Sequence, residues 1–486
     1  MVEGGIGMTD SLALHTDKYQ INMMYAHWKR GTADEVAVFE AYFRKLPFGN
    51  GYAVFAGLER IVGYIKGLAF AEEDIAYLRT QEEGYEEAFL ERLREFRFTG
   101  NLYSMLEGTL VFPNQPLIRV EARIFEAQLV ETALLNFLNY QTLIATKASR
   151  IKRVAPDELL LEFGTRRAQE ADAAVWGARA TYIAGFHATS NLRAGKLFGI
   201  QTSGTHAHSW VQGHDSEEDA FRQYAEALPD HVTLLVDTYD TLKSGVPNAI
   251  KTARWLADRG KRLHGIRLDS GDLAYLSKRA RAMLDDAGFP EVRIVASNDL
   301  DENIISELKA QGARIDVWGV GTQLITAFDQ PSLGGVYKLV ARQKDGELIP
   351  VIKISGNPEK ISTPGAKDVY RIVSRRTGKA EADYICLPEE QEAVVTGESI
   401  RLPDPLHPHQ SKLVTDYEAL PLLHPIFKDG DLILELPTLD GIRSYHEEQL
   451  SLFWPEVLRK LNPETYRVNV SQDLWELRAA LIERYH

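Results

Sequence analysis

The spacing of apolar and polar positions changes character twice along the chain. From about residue 158 to residue 340, short β-rich apolar runs recur at 158–163, 182–186, 199–202, 232–236, 263–268, 292–296, 315–320 and 336–340. Most of the intervals between them are long enough for a helix. Those at 249–258, 273–286 and 302–311 carry apolar residues at helical spacing. Ser216 followed by Asp219 reads as the N-cap of a helix running through Leu228. Strands alternating with helices build a parallel sheet, and about eight of them predict a closed or irregular (β/α) barrel. The short interval between 186 and 199 favours irregularity.

The flanks follow a different pattern. Residues 8–120 mix helices, such as 17–28, with alternating strands, such as 36–43 and 108–112. The 345–440 region is rich in charge and turns (KDGE, SGNPEK, RRTGKA, PDPLHPHQ, FKDGD), which predicts β-hairpins rather than further βα units. A helical tail is expected over 445–486. The fold class expected is therefore α/β. It comprises an α+β N-terminal domain (8–135), an α/β barrel (136–345) and a C-terminal region (346–486) packing on both. No internal repeat of 20 to 50 residues is visible.

Composition narrows the function. The chain has 486 residues, of which 44% are hydrophobic and 26% charged, so it can bury a large core and is not a disordered chain. Asp and Glu outnumber Lys and Arg by 69 to 55, a net charge of -14, which argues against a nucleic-acid partner, since phosphate contacts need a basic face. No apolar run approaches the roughly 20 residues that span a bilayer. The start, MVEGGIGMTDSL, lacks a cationic segment followed by an apolar one and is not read as a secretion signal. Met8 stands as a candidate natural start. Cys386 is the single cysteine, which removes intrachain disulfides and cysteine-based zinc clusters from consideration. The expectation is a soluble cytoplasmic protein.

Chemistry-bearing residues gather directly after the predicted strands. The clusters are EFGTRR (162–167), GFHATSN (185–191), GTHAHSW (204–210), VDTYD (236–240), RLDSGD (267–272), ASND (296–299) and GVGT (319–322). Barrels of this class hold their chemistry at the carboxyl ends of the strands, so seven such loops in register indicate one shared site. Residues 173–214 contain no Asp or Glu, although about six would be expected at the chain-wide frequency of 69 in 486. The same stretch carries Arg179, Arg193 and Lys196. It reads either as a wall of an anion site or as a buried, sheet-rich region that also excludes acids. Gly319 and Gly321 in GVGT would let backbone N–H groups turn toward a phosphate. Arg267 could clamp a carboxylate or phosphate, while Asp269, Asp272 and Asp237 could hold Mg2+ or sugar hydroxyls. The capping of a helix N-terminus explains Asp272 without any ligand. His206 and His208 leave three readings open: zinc ligands, one core and one rim histidine, or a histidine that accepts a phosphoryl group.

Taken together, these motifs closely resemble those of the nicotinate phosphoribosyltransferases. The matching segments are LHTDKYQINMMY (14–25), FEAYFRKLPFGNGYAVFAGLE (39–59), EFGTRRAQ (162–169) and ATSNLRAGKLFGIQTSGTHAHSW (188–210). They continue with LLVDTYDTLKSG (234–245), GIRLDSGDL (265–273), ASNDLDE (296–302) and GVGTQLITAFDQPSLGGVYKLV (319–340). The resemblance covers about two thirds of the chain and is weakest over its last 140 or so residues. It implies the type II phosphoribosyltransferase fold, an irregular α/β barrel beside an N-terminal domain. The implied reaction joins nicotinate to phosphoribosyl pyrophosphate, giving nicotinate mononucleotide and pyrophosphate, the entry of salvaged nicotinate into NAD synthesis. The resemblance also implies a ligase-type coupling to ATP through a phosphohistidine, a requirement for Mg2+, and a homodimer with shared active sites.

Carried over by position, the phosphohistidine is His208, with Thr205 in the same loop at the nicotinate. Tyr19 is expected to close over the pyridine ring from the neighbouring subunit, and Phe163 to stack on its other face. Arg166 is expected at the phosphates and Arg267 at the base. Asp269 and Asp237 are expected at the ribose and Mg2+, with Ser297, Asn298 and Gly319 in the substrate site and Gly321 and Thr322 at the 5-phosphate. His187 has no assigned role. Nicotinamide-using relatives place an aspartate near the 185–191 loop, so the acid-free stretch favours nicotinate over the amide. A zinc-dependent barrel hydrolase built on His206, His208 and Asp269 is the alternative from another class.

Overall fold

The computed structural model describes residues 12–403 and 411–485. The amino-terminal eleven residues, with the Met8 start, and most of the PDPLHPHQ turn lie outside the described residues. The chain divides into two compact units: one takes in both flanks, up to Leu143 and from Ser332 onward, and the other is Ile144–Pro331.

The central unit is built on a six-stranded sheet. Its strands follow the order Ala188–Thr189, Leu159–Glu162, Val317–Val320, Arg293–Ala296, Leu263–Leu268, Val232–Leu235. Every adjacent pair is parallel. Parallel strands buried on both faces read as continuous apolar runs, and Val317–Val320 is buried at all four positions. Helices Glu217–Ala227, Val246–Ala257, Leu273–Asp286 and Glu302–Ala310 fall between the strands. Side-chain oxygens start three of them, with Ser216, Asp272 and Asp301 each accepting a first-turn N–H.

Two strand expectations fail here, and a third strand forms but belongs to another sheet. Residues 182–186 are the last turn of helix Glu170–Ile183 and a left-handed Gly185 (φ 101°), because short apolar runs look alike in buried helices and strands. Residues 199–202 contribute only a bridge, in which Thr189 N–H donates to Gln201 O and Ser203 N–H to Thr189 O. Residues 336–340 begin strand Val336–Lys344, which pairs antiparallel with Val36–Tyr42 in the other unit. The expected eight-strand circuit is thus six parallel strands, and the irregular alternative is the one observed.

The flanking unit carries a seven-stranded sheet in which every named pairing is antiparallel, with Val36–Tyr42 between Val336–Lys344 and Ile118–Arg123. A second, four-stranded sheet contains the expected hairpin Asp368–Ser374/Ala380–Cys386. Helices Leu439–Ser451 and Gln472–Arg484 form the tail, but Val468–Val470 interrupts it as a strand parallel to Ala380–Cys386. Of the expected strand 108–112, only Leu110–Val111 forms. Arg371 and Asp383 are fully buried as a bidentate pair, with further hydrogen bonds to Leu110 O and Gln449 from Arg371 and from Gln115 and Tyr466 to Asp383. Such a pair is tolerated in a core only when its other bonds are made.

Candidate active site

The six strands deliver their polar followers to one end of the sheet. Because Leu263–Leu268 lies between Val232–Leu235 and Arg293–Ala296, Arg267 and Asp269 fall between Asp237 and Ser297. Arg267 is held on three sides: Nε donates to Ser297 Oγ (2.8 Å), Nη1 to Thr205 Oγ1 (3.0 Å) and Nη2 to Asp269 Oδ1 (2.7 Å). Ser297, itself buried, also donates to Asp269 Oδ1. A guanidinium has five N–H donors, so two hydrogens stay unspent, one on each terminal nitrogen. That is the complement of the two oxygens of a carboxylate. The Arg267 guanidinium carbon lies 5.5 Å from the centre of the Phe163 ring, within cation–π range.

Asp237 is the most enclosed carboxylate of the group, its side chain 2% exposed. Oδ2 accepts the Asp269 N–H (2.8 Å) and the Ser270 hydroxyl (2.7 Å), while Oδ1 is buried without a hydrogen-bond partner. His208 faces this oxygen. Its Nε2 lies 4.0 Å from Asp237 Oδ1 and 3.9 Å from Asp269 Oδ2, and its Nδ1 pairs with Thr238 Oγ1 at 3.1 Å. The imidazole is 40% exposed, so it is open to a reactant as well as to the two carboxylates.

His206 has a different role. It is buried, its Nε2 accepts the Leu235 N–H (3.1 Å), and its Nδ1 donates to Ala207 O (3.2 Å). Burial holds its pKa below the ordinary histidine value. With both ring nitrogens bonded to backbone, His206 has no lone pair for a metal, which removes the zinc centre of the hydrolase alternative. Among the described residues, no group of three or more His, Cys, Asp or Glu is arranged to hold a metal ion. His187 is likewise structural, its Nδ1 accepting the Leu160 N–H at 3.0 Å.

Phe163 follows strand Leu159–Glu162, and its N–H pairs with Val320 O (2.8 Å). Gly319 lies inside strand Val317–Val320, where a Cβ would come within 2.6 Å of two Phe163 ring atoms. Its missing side chain makes room for the ring. Gly321 precedes the short helix Thr322–Ile325, and a Cβ there would meet Phe163 O at 3.3 Å. Arg166 is exposed in the turn after Phe163. Asn298 is exposed with φ at +119°, outside the usual range for a side-chain-bearing residue. Backbone strain of this kind concentrates at functional sites. Tyr19 belongs to the flanking unit, at the start of helix Lys18–Arg30, and is 49% exposed.

Two residue sets depart from what the chain alone suggested. Arg179 is fully buried, its guanidinium over the rings of Trp176 and Phe198, so burial accounts for part of the acid-free stretch. Arg193 and Lys196 are exposed on helix Leu192–Phe198. Thr238, Ser270 and Glu162 were not singled out beforehand, although each lies within or beside a quoted motif. For Thr238 and Ser270 a hydroxyl next to an aspartate was the available signal, and Glu162 offers no comparable one.

Family models match the chain along most of its length. Three models match: the nicotinate phosphoribosyltransferase N-terminal domain over 14–139, the nicotinate phosphoribosyltransferase family over 159–372, and the corresponding C-terminal domain over 366–478. A nicotinate phosphoribosyltransferase of Bacillus subtilis is 57% identical over 466 residues, covering 96% of this chain and 94% of its own. The crystal structure of human nicotinic acid phosphoribosyltransferase superposes with a TM-score of 0.84 at 31% identity, over 96% of this chain and 99% of that one. A Pyrococcus furiosus protein titled nicotinate-nucleotide pyrophosphorylase shares the fold, with a TM-score of 0.70 at 23% identity over 93% of this chain and 99% of that one. With the flanking and central units both matched, the chain belongs to the nicotinate phosphoribosyltransferase family.

Proposed function

We propose that this protein condenses nicotinate with phosphoribosyl pyrophosphate, releasing pyrophosphate and forming nicotinate mononucleotide for NAD synthesis. The observation that carries this reading is Arg267, with two unspent donors set beside the Phe163 ring. A flat, electron-poor ring bearing a carboxylate needs that combination of aromatic face and forked cation. In the bond-forming step the pyridine nitrogen of nicotinate attacks C1 of the ribose as the bond to pyrophosphate breaks. The nitrogen lone pair is free, so no general base is required. Positive charge builds at the anomeric carbon, and Asp269 and Asp237 are the carboxylates available to stabilise it. Arg166 and the backbone of Gly321 and Thr322 are assigned to the phosphates, and Asn298 to the same substrate.

The acid donors at this site suit Mg2+. Asp237 Oδ1 is buried and unpartnered, Asp269 Oδ2 faces the same imidazole, and Mg2+ is commonly held by one or two carboxylates together with substrate phosphates. Asp237 and Asp269 would hold the ion, which would neutralise the leaving pyrophosphate. His208 is assigned as the acceptor of the γ-phosphoryl group of ATP, which water then removes, coupling ATP hydrolysis to synthesis. Its exposed ring between two carboxylates and a hydroxyl supports that assignment. Nicotinate is preferred to nicotinamide because Arg267 offers only donors, whereas the amide nitrogen needs an acceptor. The working form is a homodimer in which Tyr19 closes over the base of the neighbouring subunit, and the setting is the cytoplasm. Incubation with nicotinate, phosphoribosyl pyrophosphate and Mg2+, with and without ATP, tests the reading. Formation of nicotinate mononucleotide, increased by ATP, is expected, and turnover of nicotinamide in preference to nicotinate would overturn it.

A further inference from the structure

Glu162 takes no part in the reaction set out above, yet it is a fully buried carboxylate at the end of strand Leu159–Glu162. Each of its oxygens is engaged. Oε1 accepts the backbone N–H of Gly164, and Oε2 accepts the hydroxyl of Thr189 at 2.5 Å. Its own backbone carbonyl accepts the Ser190 N–H at 2.9 Å. Thr189 Oγ1 in turn accepts the Asn191 N–H (3.0 Å), and Asn191 Oδ1 caps helix Leu192–Phe198 through the Ala194 N–H (2.9 Å). One carboxylate therefore ties the turn after one strand to the end of its sheet neighbour. No cation partners it in these bonds, and burial raises its pKa above the ordinary carboxyl value. A buried acid is costly to keep, so a chain that needed only packing here would do better with an apolar residue.

Phe163 lies between Glu162 and the Gly164 turn that Glu162 fixes. Glu162 is the residue before it and Gly164 the residue after, while its N–H is tied to Val320 O. The seat leaves little slack. A Cβ on Gly164 would stand 2.5 Å from Ile325 Cβ and 2.8 Å from Glu162 Oε1, and one on Gly319 would strike the Phe163 ring. We propose that Glu162 is a positioning residue of the base site: by pinning the Gly164 turn to Thr189 it holds the Phe163 ring where nicotinate stacks. The proposal rests on the reading of Phe163 as the stacking ring.

A double-mutant cycle separates the two. Glu162→Ala and Phe163→Ala should each raise the nicotinate KM by about tenfold, the loss expected when a charged hydrogen-bond anchor or a stacking face is removed. The KM for phosphoribosyl pyrophosphate should change little in either. The double variant should be no worse toward nicotinate than Phe163→Ala, because both act through the same ring. Glu162→Gln should recover most of the nicotinate KM, since its amide oxygen can still accept the Gly164 N–H. Thr189→Val removes the far anchor and should reproduce the Glu162→Ala effect, which also covers the case in which Glu162→Ala does not fold. The proposal is overturned if Phe163→Ala raises the nicotinate KM while Glu162→Ala and Thr189→Val do not. Full additivity in the double variant, or equal rises in both substrate KM values, overturns it as well. An unchanged nicotinate KM in Phe163→Ala defeats the stacking reading itself.

Discussion

One serine hydroxyl sets how Arg267 presents itself to a ligand. Ser297 accepts from Nε and is tied to Asp269, which accepts from Nη2, so the guanidinium cannot turn its side edge outward without breaking both of its bonds. Arg267→Ala should raise the nicotinate KM by roughly 10- to 150-fold, the range expected for losing a charged hydrogen-bond partner worth about 1.5–3 kcal/mol. Steady-state kinetics with nicotinate varied at saturating phosphoribosyl pyrophosphate measures it, and an unchanged KM would remove Arg267 from the base site. The pair in GTHAHSW makes a second residue-scale distinction. Spacing left His206 and His208 equivalent, because sequence does not show which ring finds backbone partners. In the folded chain His206 is bonded at both nitrogens, while His208 faces Asp237 and Asp269. His208→Ala should abolish ATP hydrolysis and acid-labile phosphate incorporation while leaving slow, ATP-independent mononucleotide synthesis. His206→Ala should keep the phosphoenzyme but lower thermal stability, since it leaves the Leu235 N–H buried without its acceptor. Phosphoenzyme detected in the His208→Ala protein would refute the assignment.

At the scale of elements, the parallel strands were legible where an apolar run ended in a polar cluster, as at 263–272 and 292–299. Periodicity misled at 182–186 although the polar cluster GFHATSN follows, because the run continues a helix whose residues are mostly buried, and short apolar runs look alike in buried helices and strands. The 336–340 run looks like one more strand of the series, and only its antiparallel register with Val36–Tyr42 reveals its other membership. Helix Leu439–Ser451 carries a property that no pattern announces. His446 is buried on it, its Nδ1 donates to Gly108 O (2.9 Å), its Nε2 has no partner, and burial lowers its pKa to about 4. Protonation would add a second N–H with no acceptor in view. In the unfolded chain the imidazole titrates near its ordinary value of about 6.5, so between these values the unfolded state holds the extra proton. Stability is therefore complete above about pH 6.5 and falls as the pH drops toward about 4, with a slope of about 1 kcal/mol per pH unit. Thermal melts of the wild type and His446→Gln between pH 4 and 7 check this. The variant should show a shallower acid-side decline, and parallel curves would mean that His446 does not titrate on unfolding.

At the scale of the whole molecule, the least legible fact was which strands pair between the flanks. Residues up to Leu143 and from Ser332 onward make one unit, interrupted in sequence by the central one, and strand partners such as Val38 and Ala341 lie some three hundred positions apart. Local periodicity carries no information over that distance. The central unit, which holds its strand-end residues within one continuous stretch, was the more readable for that reason. The same division sets the last prediction. Tyr19 lies in the flanking unit with its ring 49% exposed, whereas Arg267, Phe163 and Asp269 lie in the central one. If a partner subunit supplies Tyr19 to each base site, a Tyr19→Ala subunit still carries an intact central unit, and an Asp269→Asn subunit still carries an intact Tyr19. Each homodimer then has two defective sites. A hybrid dimer has one site with both defects and one with neither. Mixing the two variants under conditions where subunits exchange should restore activity toward a quarter of the wild-type level, because about half of the dimers are hybrids with one working site each. Activity should rise with the rate of exchange, followed by differently tagged subunits. Exchange without any gain in activity would mean that Tyr19 serves its own chain's site or none.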